Sequence, residues 1–436
     1  MPLLSPPQPA ASIRPSACPG LLRIVQALDG GICRIKLAGG ELSAAQARAV
    51  ADAAERFAGG VIEATNRANL QIRGIRGSHP AMLEGLLAAG LGPRNSGSSG
   101  GDDVRNLMLS PSAGIDPQML FDTRPLAAQI LDSLQQRERL HELSAKFAVL
   151  LDGGEALAMH EHAHDLWLAP VQLDGDTWLG FGLAGCPGQA VAAVPLHQGH
   201  DLVMAVLERF LDLASPEQTR MRHVLEHVSA QAFIAPLAVT MRLGPFPVPK
   251  AGSDCLGTYP QRQAGKLFVG AAPALGRLDP PMLRGLARLA EQYGDGSLRL
   301  TPWQSLVIPN VENAPALTAD LRALGLLCSA SEPLAQLIAC TGSDGCKKGL
   351  ADTKADARLL ATLLPGPQAV HLSGCSRSCA AAHVAPATLL ATSAGHYDLY
   401  LRDAGQPGFG ALRARNLDLH AVSELLARLP TEQHHD

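Results

Sequence analysis

The sequence contains one segment twice. Slid by 236 positions, residues 40–75 (GELSAAQARAVADAAERFAGGVIEATNRANLQIRGI) lie without gaps over residues 276–311 (GRLDPPMLRGLARLAEQYGDGSLRLTPWQSLVIPNV). Few residues are identical, but the succession of signals is the same in both. An apolar strand precedes each segment (32–37 and 266–271), and a helix opens behind Ser43 or Asp279, whose short side chains can cap its free N–H groups. A glycine turn then leads to a strand that passes through a threonine into an alternating apolar stretch.

The same order continues beyond the repeat. Leu107-Met108-Leu109-Ser110 and Leu337-Ile338-Ala339-Cys340 are short apolar strands, each followed by a glycine-containing loop and a helix, at 125–137 and 352–363. A further strand and turn follow at 146–154 and 369–374. The expected fold is α+β: a duplicated unit, with a pocket between the copies. Its expected parts are a disordered leader over 1–15, a first half-domain over 16–100 and its α/β domain over 101–235. A Pro- and Gly-rich linker over 236–265 leads to a second half-domain over 266–320 and a final domain over 321–436. Residues 92–103 (GPRNSGSSGGDD) read as a flexible surface loop.

Charge and composition narrow the function. A formal charge of -4 argues against general nucleic-acid binding, which needs a basic face. No run of about 20 apolar residues suggests a membrane span, and the proline-rich N-terminus lacks the basic and apolar regions of a secretory signal. The expected location is the cytoplasm. Of the nine cysteines, Cys18, Cys33, Cys186, Cys255 and Cys328 are scattered singly. The other four are paired: Cys340 and Cys346 in ACTGSDGC, Cys375 and Cys379 in GCSRSC. Glycines let each loop turn within a small radius, so both thiolates of a pair can face one point. Four thiolates from two such loops suit an iron–sulfur cluster. Structural zinc favours closer CxxC pairs, disulfides are disfavoured in a reducing compartment, and inert buried thiols have no reason to recur in pairs. On the residues alone these stay open as alternatives.

The Cx5C pair, 28 residues and the Cx3C pair together resemble the 4Fe-4S motif of the sirohaem-dependent nitrite and sulfite reductases. The duplicated layout is similar to theirs over nearly the whole chain, which implies ferredoxin-like half-domains plus 4Fe-4S-binding α/β domains. Within that superfamily several segments look more like the precorrin-3B synthases, monooxygenases of aerobic cobalamin biosynthesis: RPSACPG at 14–20, TNRANLQIRG at 65–74, DVRN at 103–106, LTPWQSL at 300–306 and HLSGC at 371–375. The resemblance implies Cys340, Cys346, Cys375 and Cys379 as ligands of a 4Fe-4S cluster.

Sirohaem and precorrins both carry about eight carboxylates, so either ligand demands convergent cations with forked geometry. In TNRANLQIRG, Arg67, Asn69, Gln71 and Arg73 share one face of a strand by period two and read as a polar row for those carboxylates. The resemblance adds Arg34, Arg105 with Asn106, and Lys146 as substrate-binding positions. One departure bears on function. The reductases carry Lys-x-Lys for anion binding and proton delivery, and here the segment reads Lys146-Phe147-Ala148. Losing one of two cations weakens multi-proton reduction of a small anion.

Met159-His160-Glu161-His162-Ala163-His164-Asp165 reads as a strand with three histidines on one solvated face, too widely spaced to bind one ion without a bend. Arg220 and Arg222, beside His223 and His227, read as an ordinary polar helix face, and residues 432–436 as a polar tail. His371 and His383 flank the second cysteine pair and are placed to tune a cluster or meet a substrate.

What the resemblance implies is oxidation of precorrin-3A by dioxygen, with hydroxylation at C-20 and γ-lactone formation. A mononuclear non-haem iron is implied as a second metal, without assignable ligands. The electron donor is expected to be NAD(P)H through a separate reductase, or a ferredoxin. The rival expectations are a sirohaem-dependent sulfite or nitrite reductase and a non-catalytic electron-transfer or tetrapyrrole-binding protein.

Overall fold

The computed structural model describes residues 18–428, apart from 78, 96–98, 382, 404 and 407; the leader and the polar tail lie outside the described residues. The repeat folds as two half-domains that exchange strands. One sheet has the order Val25–Gln26, Gly31–Ile35, Leu70–Ile75, Val61–Ala64 and then Arg277–Leu278, which comes from the other copy. The second has the order Gly257–Pro260, Leu267–Ala271, Leu306–Val311, Ser297–Leu300 and then Glu41–Ser43, which returns the exchange. Residues 41–43 and 277–278 are equivalent under the 236-residue shift, so the duplication is expressed as an approximate twofold relation. The backbone repeats even where it is strained. Ala68 and Gln304 adopt φ of 53° and 57°, and Gly40 and Gly276 adopt 75° and 70°.

The helices Ala44–Phe57 and Pro280–Tyr293 start where the sequence places them. Ser43 Oγ accepts from Gln46 N at 3.2 Å while Gln46 Oε1 accepts from Ser43 N at 3.0 Å, a reciprocal capping box. Asp279 Oδ1 accepts from Met282 N at 2.7 Å. The helices pack on each other, and Val50, Ala51 and Ala54 share one core with Leu286, Ala287 and Ala290. Each fully buried leucine there contributes about 1.5–3 kcal/mol by leaving water, which binds the copies to each other and not only to themselves.

The two α/β domains also repeat. In the first, Leu107–Leu109, Val149–Leu151 and Leu166–Leu173 run parallel, and Asp176–Leu183, Gln189–Pro195 and Arg242–Pro247 continue antiparallel. In the second, Leu337–Ala339, Val370–Ser373 and Ala387–Ser393 are parallel, followed by His396–Leu401 and Ala411–Leu417 antiparallel. A helix crosses over after each first strand, Arg124–Gln136 or Thr353–Leu363. Both therefore point the loops at the C-terminal ends of their parallel strands toward the half-domains, the usual place for a site in such sheets.

Two expectations about connections change. The segment 236–265 is not plain linker: it supplies edge strands Arg242–Pro247 and Gly257–Pro260 to two different sheets, positions where proline is tolerated because one side of the ladder is unpaired. The segment 92–103 ends in a short helix, Ser99–Asp103, whose acids are buried. Lys36 Nζ donates to Asp102 O at 3.0 Å and Asp103 O at 2.8 Å, and Leu21 N donates to Asp102 Oδ2 at 2.8 Å. No helix among the described residues is long and apolar enough to cross a membrane.

Candidate functional site

The strand Leu337–Ala339 delivers Cys340 directly, and Cys340 N donates to Leu372 O of the next strand at 3.2 Å. Gly342, at φ 68°, turns the loop back so that Cys346 N reaches Gly342 O at 2.9 Å. The second pair follows Val370–Ser373, and Gly374 N donates to Cys340 Sγ at 3.2 Å, joining the two loops. Thr353 Oγ1 donates to Cys340 O at 2.7 Å. Glycine is required at this junction: a Cβ on Gly349 would lie 2.5 Å from the Gly342 backbone.

All four of these cysteines are free thiols. Burial, and then the neighbouring Cys375, Cys340 and Cys346, push the Cys379 thiol up, so the four face one another across the loops. Among the described residues no three His, Cys, Asp or Glu side chains gather closely enough for a single ion. Four thiols facing one another from two loops are a donor set suited to a 4Fe-4S cluster. A mononuclear iron is left without an assigned ligand set among the described residues.

Beneath the first cysteine loop sits Glu63, 5% exposed. Arg277 Nη2 stands 3.2 Å from its carboxylate, Lys354 Nζ 3.7 Å and Arg73 Nη1 3.8 Å. Gln71 Nε2 donates to it at 2.7 Å and Thr341 Oγ1 at 3.4 Å. Burial by itself raises this carboxyl, but Lys354, Arg73 and Arg277 outweigh it and the net shift is downward. Arg73 further donates to Asp29 at 2.8 and 2.9 Å and to Gly345 O of the cysteine loop at 3.3 Å.

The polar row predicted along TNRANLQIRG thus divides. Ala68, with positive φ, turns Arg67 off the strand. Asn69 is buried and accepts from Leu37 N at 2.8 Å. Gln71 and Arg73 anchor the cysteine loop through Glu63 and Gly345 instead of facing open space. Arg105 and Asn106 are likewise engaged within the protein, with Leu91 O at 2.9 Å and Phe147 O at 2.9 Å. Lys146 is exposed.

Arg34 and Arg67 remain, a pair of buried neighbouring cations. The Arg67 guanidinium donates no hydrogen bond among the described residues, and burial, then Arg220 and Arg34, push it down to about 10. Arg34 reaches Gln71 Oε1 at 3.3 Å, but its buried Nε has no partner. Cys18 and Cys379 are its acidic neighbours, so this pair adjoins the second cysteine loop. Asn66 Nδ2 donates to Cys379 O at 3.2 Å and fixes that approach.

The group beside Arg67 is one the sequence did not reveal. Residues 159–165 form a loop, not a strand, and their histidines differ in role. His160 bonds Asp152 at 2.7 Å. His164 is buried with Nε2 3.4 Å from Met159 O. His162 is 3% exposed and neither ring nitrogen has a partner. Burial, with His164, His383 and Arg67 nearby, holds His162 down to about 3. Arg220, expected on a solvated helix face, instead grips Asp165 through Nε at 2.9 Å from each carboxylate oxygen and stands as a cation near Arg67 and His164. Its signal was weak because the acid it meets lies 55 residues away.

Known proteins share this construction. The nitrite/sulfite reductase ferredoxin-like half domain matches residues 25–89 and again 259–324. The nitrite and sulphite reductase 4Fe-4S domain matches 100–243, the copy without the cysteine pairs. A chloroplastic ferredoxin–nitrite reductase of Zea mays is 35% identical over 388 residues, covering 81% of this chain and 68% of that protein. The ferredoxin–nitrite reductase of Synechococcus elongatus is 34% identical over 396 residues, covering 82% and 76%. A precorrin-3B synthase of Sinorhizobium sp is 28% identical over 437 residues, covering 98% and 91%. The NirA protein of Mycobacterium tuberculosis superposes with a TM-score of 0.75 at 23% identity over 91% of this chain and 80% of that one, a likeness of fold. The repeated half-domain, the intervening 4Fe-4S-type domain and relatives about a third identical over most of their length establish that this chain belongs to the nitrite/sulfite reductase family of oxidoreductases.

Proposed function

We propose that the chain is a precorrin-3B synthase, using dioxygen to hydroxylate precorrin-3A at C-20 with γ-lactone formation. The observation that carries this reading is Ala148. It is 1% exposed and packs among Met108, Leu150, Met159 and Trp167, so the place of a second lysine is part of an apolar cluster. A site for stepwise protonation of a small anion wants that cation; a site for a large polycarboxylate does not. The end-to-end match with the Sinorhizobium synthase supports the same reading.

In this proposal Arg34 and Arg67 take carboxylates of the ring, each charge-assisted bond contributing about 1.5–3 kcal/mol, with Lys146 at the mouth. Gln71, Arg73, Lys354 and Glu63 hold the loop of Cys340 and Cys346 rigid, and Asn66 holds that of Cys379. Those four thiolates would bind a 4Fe-4S cluster, which when bound supplies electrons one at a time for dioxygen reduction. Lys354, Arg73 and Arg277 under the loop surround Glu63, with Asp29 and Asp344 balancing two of them. Electrons would arrive from a ferredoxin or from NAD(P)H through a reductase.

The higher identity to ferredoxin–nitrite reductases favours a second reading, a sirohaem-dependent nitrite or sulfite reductase. Anaerobic purification separates the two. The synthase reading expects only broad cluster absorption, and a mass gain of one oxygen atom when precorrin-3A, a reductant and then oxygen are added. Intense Soret and Q-type bands with nitrite consumption, and no such mass gain, would establish the reductase.

A further inference from the structure

Unpartnered buried polar atoms gather around Arg67: Arg34 Nε, both nitrogens of His162, His164 Nδ1 and His383 Nδ1. His162 and His383 hold equivalent positions in the duplication. Leu166 and Ala387 open the third parallel strand of each copy, pairing with Val149 and Val370, and each histidine stands four residues before. Their rings stack with centroids 5.5 Å apart and planes 17° apart, so the two copies meet through this pair. Glu161 and Arg402, 3.7 Å apart, join the same two segments beside the stack.

A buried structural histidine normally donates to a carbonyl or carboxylate, as His164 and His160 do here. His162 does neither. Desolvating a donor and an acceptor with no return is costly unless something else completes them.

We propose that His162 is a direct hydrogen-bonding contact for an anionic tetrapyrrole held where the two copies meet, taking one peripheral oxygen of a ring whose carboxylates meet Arg34 and Arg67. His383, stacked behind it, is a positioning residue that fixes the imidazole plane. The proposal rests on the tetrapyrrole reading above. Burial keeps the His162 ring neutral, so it recognises oxygen without adding another cation beside Arg67 and Arg220.

The test titrates the cluster-loaded protein with uroporphyrin III, an octacarboxylate tetrapyrrole, followed by fluorescence anisotropy, alongside thermal unfolding without ligand. His162→Phe removes both nitrogens but keeps a flat ring; it should bind about tenfold more weakly, the size of one charge-assisted hydrogen bond, with an unchanged or higher unfolding midpoint. His162→Gln should recover most of the affinity. His383→Ala should weaken binding and His383→Phe restore it, since the stack returns. Wild-type affinity in His162→Phe overturns the proposal alone, as does weaker binding accompanied by a lower midpoint, which marks a structural role. A wild-type protein that binds no uroporphyrin overturns the tetrapyrrole reading and this proposal with it.

Discussion

In the second copy the turn after Leu337–Ala339 carries Cys340 and, six residues on, Cys346; in the first, the same positions after Leu107–Leu109 carry Ser110 and Asp116. The following loops have equal length, and Cys375 and Cys379 answer to Gly154 and Ala158. The first-copy loops complete themselves: Ser112 Oγ donates to Asp116 Oδ2 at 2.9 Å, Ala156 N to the same oxygen at 3.0 Å, and Gly153 N to Glu155 Oε2 at 2.7 Å. The second-copy loops present thiols to one another instead. One scaffold therefore brings two loops together in both copies, and the side chains decide the outcome, hard hydrogen-bonded oxygens or soft metal-binding sulfur. The comparison also explains why a 4Fe-4S domain model can match residues 100–243, where the cysteine pairs are absent: the fold is shared, the cysteines are not.

The supports beneath the loops are duplicated with reversed sign. Glu63 pairs across the sheet with Arg277, while the equivalent residues Arg299 and Glu41 exchange the charges. Arg299 Nη1 holds the first-copy loop through Pro111 O at 3.1 Å and Ala113 O at 2.8 Å. Glu63 holds the other through Thr341 and a ring of cations.

The largest effect that could break this comparison is in the ligands. Cys375→Ser should abolish the broad cluster absorption and nearly all bound iron and sulfide, whereas Asp116→Asn in the equivalent first-copy loop should leave both intact. Iron and sulfide retained in Cys375→Ser would remove the distinction between the copies.

Next in size is the support. Glu63→Gln strips the carboxylate from three buried cations and should cost about 3–5 kcal/mol in urea unfolding. The reversal Glu63→Arg with Arg277→Glu, which copies the first-copy polarity, should recover neither stability nor the cluster, because a guanidinium in place of the Glu63 carboxylate would oppose the buried Lys354 and Arg73. Because the folded carboxyl is depressed, its contribution is fully present above the ordinary glutamate range and fades as pH falls through the folded value. A Glu63→Gln variant with wild-type stability at pH 7 would show that the ring of cations does not depend on it.

Much of this was legible because duplication is a sequence property. Helix caps at Ser43 and Asp279, strand edges and the Cx5C and Cx3C loops are local signals, and the structure reproduces them. The exchange of strands was not legible, since Glu41–Ser43 and Arg277–Leu278 are too short to show a pattern and pair only across the duplication. The His160, His162, His164 alternation imitates a strand, yet Asp152 and the Asp165–Arg220 pair bend it into a buried loop. In the same way Arg73 and Gln71 lie on the predicted face, but what that face meets is a cysteine loop some 270 residues on, which periodicity cannot name.

A smaller test concerns how closely the cysteine loops approach. Gly349→Ala places a Cβ 2.5 Å from the Gly342 backbone, where neither atom belongs to a flexible side chain. Overpacking of this kind costs about 1–3 kcal/mol, and cluster occupancy should fall with it. Gly366→Ala, with nothing within 4 Å of its Cβ, is the control in the same domain. Equal iron content in the two variants would mean that loop contact does not govern assembly.

The smallest expected effect separates the buried histidines of the first-copy loop from one another. His162 and His164 are each held down to about 3, chiefly by burial, while an unfolded histidine takes its proton near 6.5. Between those values the unfolded chain binds more protons than the folded one, so stability falls as pH falls and is unaffected above the window. Each residue should remove about 1 kcal/mol between pH 6.5 and 5.5 in the protein without added tetrapyrrole. His162→Gln should flatten the pH dependence of urea unfolding by one such share, and His160→Gln, which breaks a bond to Asp152, should lower stability near neutral pH. If His162→Gln leaves the slope unchanged, the His162 ring takes up protons as freely folded as unfolded, and a neutral imidazole beside Arg67 is not what distinguishes this loop.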